Sequence, residues 1–268
     1  MPPPVFEISG VSYGYERVVA LEAVSLLVPA GQRVALLGAN GSGKSTLLRL
    51  LDGLTFAASG TVRFAGEPLT EDRFQDERFA FDFRRRVGLV FQNPDVQLFN
   101  PTVFDELAFG PLQLRWTRDL IRQRVAQTLD DLHIAHLKDR PPHRLSGGEK
   151  KRVAIASVLI LDPQVLLLDE PTAALDPSSQ SQTIDLLAGW KDTGRTVITA
   201  THDLDSVEDI ADHCFVFQAG RLVAQGSPAA VLGSADLLRQ TGLQHAHRHA
   251  HAPGEAHSHP HRHHDHQA

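Results

Sequence analysis

Three groups of residues in this 268-residue chain have the types and spacing that phosphate chemistry requires. The first is Gly38-Ala39-Asn40-Gly41-Ser42-Gly43-Lys44-Ser45-Thr46, which fits G-x-x-x-x-G-K-[ST]. Its glycines let a backbone wrap closely around phosphates and point successive N–H groups inward. A helix starting behind them adds its positive N-terminal end. Lys44 would then reach the β- and γ-phosphates of a nucleotide, and the Ser45 hydroxyl would coordinate Mg²⁺. The second group is Val165-Leu166-Leu167-Leu168-Asp169-Glu170, an apolar run ending in paired carboxylates. Asp169, at the end of a buried strand, can hold Mg²⁺ directly or through water; Glu170 beside it is placed to polarise an attacking water as general base. The third group, Leu145-Ser146-Gly147-Gly148-Glu149, lies between the other two.

Such groups need rigid elements to hold them. Residues 34–37 read as a buried strand entering the glycine loop, and residues 45–51 as the helix leaving it. Further short strands are predicted at 61–64 and 87–91, then at 165–168, 196–201 and 214–218, with helix-like stretches between the later ones. That alternation predicts an α/β core with a largely parallel sheet. From residue 101 to 161 the pattern is helical. Ile121, Val125, Leu129 and Leu132 form one apolar stripe, with Arg122, Gln123, Gln127 and Asp130 outside it. Residues 146–160 are predicted to be a single helix opened by Ser146, Gly147 and Gly148. Residues 71–86, charged and rich in phenylalanine, are longer than a simple hairpin needs, and periodicity assigns them no structure.

Composition narrows the function. Charged residues at 22% and hydrophobic ones at 42% describe a soluble globule, and a net charge of −6 gives no reason to expect nucleic acid as a partner. The single cysteine, Cys214, cannot form an internal disulfide, which fits a reducing compartment, and it reads as a small buried hydrophobe. The longest apolar stretch, residues 153–161, is about half the roughly 20 residues a membrane-spanning helix needs. Met1-Pro2-Pro3-Pro4 lacks the basic and apolar regions of a secretory signal.

The three groups, in this order, resemble the ATP-binding-cassette (ABC) ATPases over roughly residues 5–226. The resemblance implies a P-loop NTPase ABC cassette at 5–235, in which a RecA-like core carries an antiparallel β subdomain and a helical subdomain at about 95–161. ATP and Mg²⁺ are then the cofactors, and Gln92, after Val90-Phe91, matches the glutamine that touches the metal beside Ser45 and Asp169. His202 in Thr201-His202-Asp203 matches the switch histidine that contacts the γ-phosphate. Ala173-Ala174-Leu175-Asp176 matches the loop linking two subunits, with alanine where serine is common. Tyr15 is the candidate platform for adenine, with Tyr13 as its competitor. Family members place Ser146, Gly147 and Gly148 against the γ-phosphate held by an opposite chain. One glycine loop and one such helix start cannot complete a site alone, so two chains are expected to pair head to tail.

The stretch Phe91-Gln92-Asn93-Pro94-Asp95-Val96-Gln97-Leu98-Phe99, and the residues from Pro101 to Pro111, are similar to the energy-coupling-factor importers, above all the cobalt/nickel type. That implies an ATPase subunit lying peripherally on the cytoplasmic face of the cell membrane. Its partners would be a second ATPase chain, an integral membrane coupling subunit and a substrate-binding membrane subunit. A vitamin importer of the same branch stays open as the alternative, because the ATPase does not touch the substrate; a non-transport ABC ATPase in DNA repair or translation is disfavoured. Residues 245–268 hold ten of the fifteen histidines: His245, His247, His249, His251, His257, His259, His261, His263, His264 and His266. A segment so poor in hydrophobes is expected to be disordered alone, and its interleaved imidazoles suit Ni²⁺ or Co²⁺.

Overall fold

The strands that enter the glycine loop and the carboxylate pair belong to one largely parallel sheet, and its register explains why those two groups meet. The computed structural model describes residues 4–16 and 18–243, so the expected metal-binding tail at 245–268 lies outside the described residues. In chain order the elements begin with β1 (Pro4–Tyr15), β2 (Val18–Pro29), β3 (Arg33–Leu37), α1 (Lys44–Leu51), β4 (Ser59–Phe64) and β5 (Glu67–Pro68). Then come α2 (Glu71–Phe74), α3 (Glu77–Arg86), β6 (Val87–Val90), α4 (Val103–Gln113), α5 (Arg118–Asp131), α6 (Gly147–Leu159) and β7 (Val165–Asp169). The last are α7 (Pro177–Ala188), β8 (Thr196–Thr201), α8 (Val207–Ile210), β9 (His213–Gln218), β10 (Arg221–Gly226), α9 (Pro228–Leu232) and α10 (Ala235–Gln240).

The large sheet runs β10-β9-β3-β8-β7-β6, with only β10 antiparallel to its neighbour. Its central strands are buried along their whole length, which is why β3 and β7 read as unbroken apolar runs rather than as alternation. Leu37 of β3 lies opposite Thr201 of β8, and Asp169 of β7 lies opposite Ala200. The glycine loop, the carboxylate pair and His202 therefore leave the sheet side by side, at the carboxyl ends of adjacent parallel strands. Cys214 is fully buried on β9, and burial pushes its thiol up to about 12.

A second sheet, β2-β1-β4-β5, is antiparallel throughout and shares a core with α1 and the outer face of the large sheet. Residues 71–86 prove to be α2 and α3, two short helices ordered by aromatic packing. Phe74 stands edge-on to Phe79 and Phe83 at ring-centroid distances of 5.3 and 5.0 Å, and Phe83 meets Phe64 of β4 at 5.2 Å. Arg73 lies over Phe79 and Arg86 over Phe64. The helices α4, α5 and α6 enclose a separate apolar core, in which Ile121, Val125, Leu129 and Leu132 are buried together.

Candidate active site

The glycine loop leads from β3 directly into α1. Gly43 takes φ +104° as the N-cap of α1, and a Cβ there would overlap the Ala20 carbonyl, so no other residue fits. Among the described residues no side chain caps this helix, which leaves its first N–H groups facing the loop. The Lys44 Nζ donates to Gly38 O at 2.6 Å and Ala39 O at 3.3 Å, and stands 3.5 Å from Glu170 Oε1. Burial pulls the Lys44 ammonium below its ordinary pKa, while Glu170 and Asp169 hold it up. Ser45 Oγ donates to Asp169 Oδ1 at 2.8 Å, joining loop to carboxylate strand. Burial pushes the Asp169 carboxyl up; the Ser45 bond opposes that, and the Glu170 charge adds to it.

Glu170 is 4% exposed and adopts φ +44°, a left-handed conformation costly for a residue with a Cβ. Its own N–H donates to Ala200 O at 2.9 Å, so β8 holds the turn. The turn sets its two carboxylate oxygens between Lys44 and the Nδ1 of His202, the latter at 2.9 Å from Oε2. Beside them opens a cleft of about 410 Å³ lined by Glu170, Ala173, Ala174, Gln180, His202 and Asp203.

Several other predicted residues lie on β1, just after β6 and at the start of α6. Gln92 is exposed just after β6. Tyr15 is 39% exposed at the end of β1, where its hydroxyl accepts from Arg49 of α1 at 3.2 Å; its ring meets Tyr13 edge-on, and Tyr13 packs toward the core. Ser146 caps α6 through a reciprocal box: its Oγ accepts from Glu149 N–H while Glu149 Oε2 accepts from Ser146 N–H. A Cβ on Gly148 would overlap Ser179, so that glycine brings the start of α6 against the start of α7. Asn40 and Thr46 lie within the loop and first turn of α1, with Thr46 buried. Sequence reasoning missed Lys151. Its ammonium is fully buried and donates to the backbone carbonyls of Phe91 and Gln92 at 3.2 and 2.7 Å. Burial pulls it down to about 8 against the opposing carboxylates Asp169 and Glu170. The available signal was a lysine on the stripe shared by the buried Ala154 and Ile155.

The donor set fits a magnesium-bound nucleotide. Ser45 and Asp169 offer hard oxygens 2.8 Å apart, and the buried Ser42 Oγ, inside the glycine loop, has no partner among the described residues. Ser45 and Asp169 fall short of a full Mg²⁺ shell, which phosphate oxygens would complete.

The family described as ABC transporter matches residues 21–173. This chain belongs to it. Over 243 residues it is 59% identical to the nickel import ATP-binding protein NikO of Rhodobacter capsulatus, covering 90% of this chain and 96% of that protein. It is 44% identical over 242 residues to the cobalt import ATP-binding protein CbiO of the same organism, covering 90% of this chain and 85% of that one. Among solved structures, CbiO1 of Clostridium perfringens, part of an ABC transporter complex, superposes with a TM-score of 0.76 at 38% identity, over 90% of this chain and 95% of that one. The ABC cassette fold and the ATPase class expected from the residues are therefore those of the chain.

Proposed function

We propose that this chain is the ATP-hydrolysing subunit of a nickel or cobalt importer, working as one of a pair at the cytoplasmic face of a cell membrane. The observation that carries the ATPase half is the convergence of Lys44, Ser45, Asp169, Glu170 and His202 at adjacent strand ends. The similarity to NikO and CbiO supports the metal.

In this reading residues 38–46 wrap the phosphates, Lys44 turns from its loop carbonyls toward the β/γ-phosphates, and Tyr15 stacks on adenine. Ser45, Asp169 and Gln92 would hold Mg²⁺, which supplies charge neutralisation on the phosphates. Glu170 accepts a proton from the attacking water as that oxygen bonds the γ-phosphorus and the bond to ADP breaks. The His202 contact fixes which Glu170 oxygen faces the water, and the rest of the His202 ring reaches the γ-phosphate. Ser146, Gly147 and Gly148 of one chain close the site of its partner, where the α6 dipole and unpaired N–H groups favour an anion.

No helix among the described residues is long and apolar enough to cross a membrane. Val96, Phe99, Phe109 and Leu112 are exposed beyond Gln92, Phe99 meeting Phe109 edge-on at 5.0 Å to form an apolar patch, and Glu106 pins the loop by accepting from Phe99 N–H at 2.9 Å and Asn100 N–H at 2.8 Å. This patch suits helices of the integral coupling subunit. The histidines of the tail would capture Ni²⁺ or Co²⁺ arriving in the cytoplasm.

Uptake of nickel and cobalt in cells lacking this chain tests the reading. Restoration by the wild-type chain and not by Glu170→Gln is expected. Normal metal uptake without the chain, or restored uptake of a vitamin instead, overturns the metal assignment.

A further inference from the structure

The helix that begins beside Ser146 and the loop that carries Gln92 are fastened together at three successive turns. At the first, Lys151 of α6 donates to Phe91 O at 3.2 Å and Gln92 O at 2.7 Å. At the second, Gln97 Nε2 donates to Ala154 O at 2.8 Å and Ser157 Oγ at 3.1 Å, while its Oε1 accepts from Phe91 N–H at 3.1 Å. At the third, Gly88 of β6 approaches Val158 so closely that a Cβ there would overlap it. An exposed ion pair from Lys150 to Asp95 at 2.7 Å adds to the seam.

The buried part of this seam is chemically specific. An ammonium is costly to desolvate, and an apolar side chain of similar length would fill the same space without that cost. Lysine offers three donors on a flexible stem, enough to satisfy two adjacent carbonyls that neither helix nor sheet pairs. Gln97 takes the remaining N–H of Phe91 and returns it to α6. The backbone flanking Gln92 is thus tied to α6 through both its donors and its acceptors.

We propose that Lys151 is a positioning residue for Gln92, and that with Gln97 it locks the Gln92 loop to α6 as one rigid unit. This rests on the ATPase reading above. Gln92 serves the nucleotide bound by its own chain, whereas Ser146–Gly148 at the head of α6 serves the nucleotide bound by the partner. A lock between them makes any displacement of Gln92 a displacement of the α6 start, so the state of one site is passed mechanically to the other.

The test uses the full chain carrying Lys151→Met, Lys151→Arg, Gln97→Met or Gln92→Ala. Steady-state ATPase is measured together with hydrogen exchange of residues 91–97 without nucleotide. Lys151→Met should lower kcat about tenfold with KM for ATP within about twofold, the pattern of an interaction that matters after binding. Exchange in 91–97 should rise while residues 38–46 stay unchanged, and Lys151→Arg should recover most of both. Combining Lys151→Met with Gln92→Ala should cost no more than the larger single loss, because Lys151 acts through Gln92. Unchanged kcat and exchange in Lys151→Met, or a double variant that multiplies the two losses, overturns the lock. If Lys151→Met does not fold, Gln97→Met cuts the same seam elsewhere and is read the same way. The wild-type chain separates the two ideas: no ATP turnover there removes the ATPase reading itself, while wild-type turnover that stays normal in Lys151→Met removes only the lock.

Discussion

At the scale of single residues, the proposed chemistry centres on Glu170, whose left-handed backbone sets one carboxylate oxygen toward Lys44 and the other toward His202. Glu170→Gln keeps the shape and loses the base, so it should bind ATP normally and hydrolyse it at least about tenfold more slowly, trapping a paired state. Near-normal turnover in the purified chain would remove Glu170 from that role. Lys44→Ala acts earlier: it should weaken nucleotide affinity itself, and equal ATP binding by titration would count against the phosphate-loop assignment. The glycine loop and the carboxylate pair could be singled out in advance because each sits in a short contiguous pattern, whereas the role expected of His202 came from the family resemblance. Lys151 and Gln97 could not be singled out. Their partners lie 59 or 60 and 57 or 60 positions away respectively, apart from the Phe91 N–H that Gln97 accepts six residues back, and no local pattern announces such contacts.

At the scale of elements, packing decides what periodicity leaves open. The α5 stripe was legible because Ile121, Val125, Leu129 and Leu132 repeat at helical spacing, and all four are buried as expected. Residues 71–86 were not, since Phe74, Phe79 and Phe83 are organised by one another and by Phe64, a tertiary cluster rather than a repeat. Strands β1 and β2 also went largely unread, each a long strand interrupted by register shifts that break alternation. Two substitutions test this level. Gly148→Ala should push α6 off Ser179 of α7 and reduce ATPase activity several-fold while melting stays cooperative; unchanged activity would show that the two helix starts need not touch. Asp52, partly buried at the end of α1 with the Arg84 charge nearby, has its carboxyl pushed up to about 7 by burial. The unfolded chain ionises Asp52 near 3.8, so as pH rises from there to about 7 the unfolded state loses its proton first and stability falls, levelling above 7. Asp52→Asn should therefore gain stability at pH 8, at most about 4 kcal/mol, and almost nothing near pH 4. A thermal shift equal at both pH values would refute that origin.

At the scale of the whole molecule, the proposed division of the site between two chains can be tested by mixing. Lys44→Ala and Ser146→Arg homodimers should each be inactive, whereas their mixture places both lesions in one site and leaves the other intact. Partial recovery of ATPase activity is expected; mixed dimers that form without recovery would argue against shared sites or require both to fire. The tail belongs to this scale too. Deleting residues 245–268 should leave basal ATPase activity nearly unchanged but abolish weak, reversible Ni²⁺ or Co²⁺ binding, which should itself fade as pH falls through about 6.5 and imidazole protonates. Equal metal binding by both forms in titration calorimetry would end the tail hypothesis. Cys214, meanwhile, has a practical consequence. The chain's single thiol is sealed inside β9 and stays protonated up to about 12, so it should ignore maleimides while the protein is folded. The native chain is already a silent background for site-specific labelling: one cysteine introduced at exposed Lys191 would carry one probe per protomer, and the separation of two probes would report opening and closing of the pair during turnover.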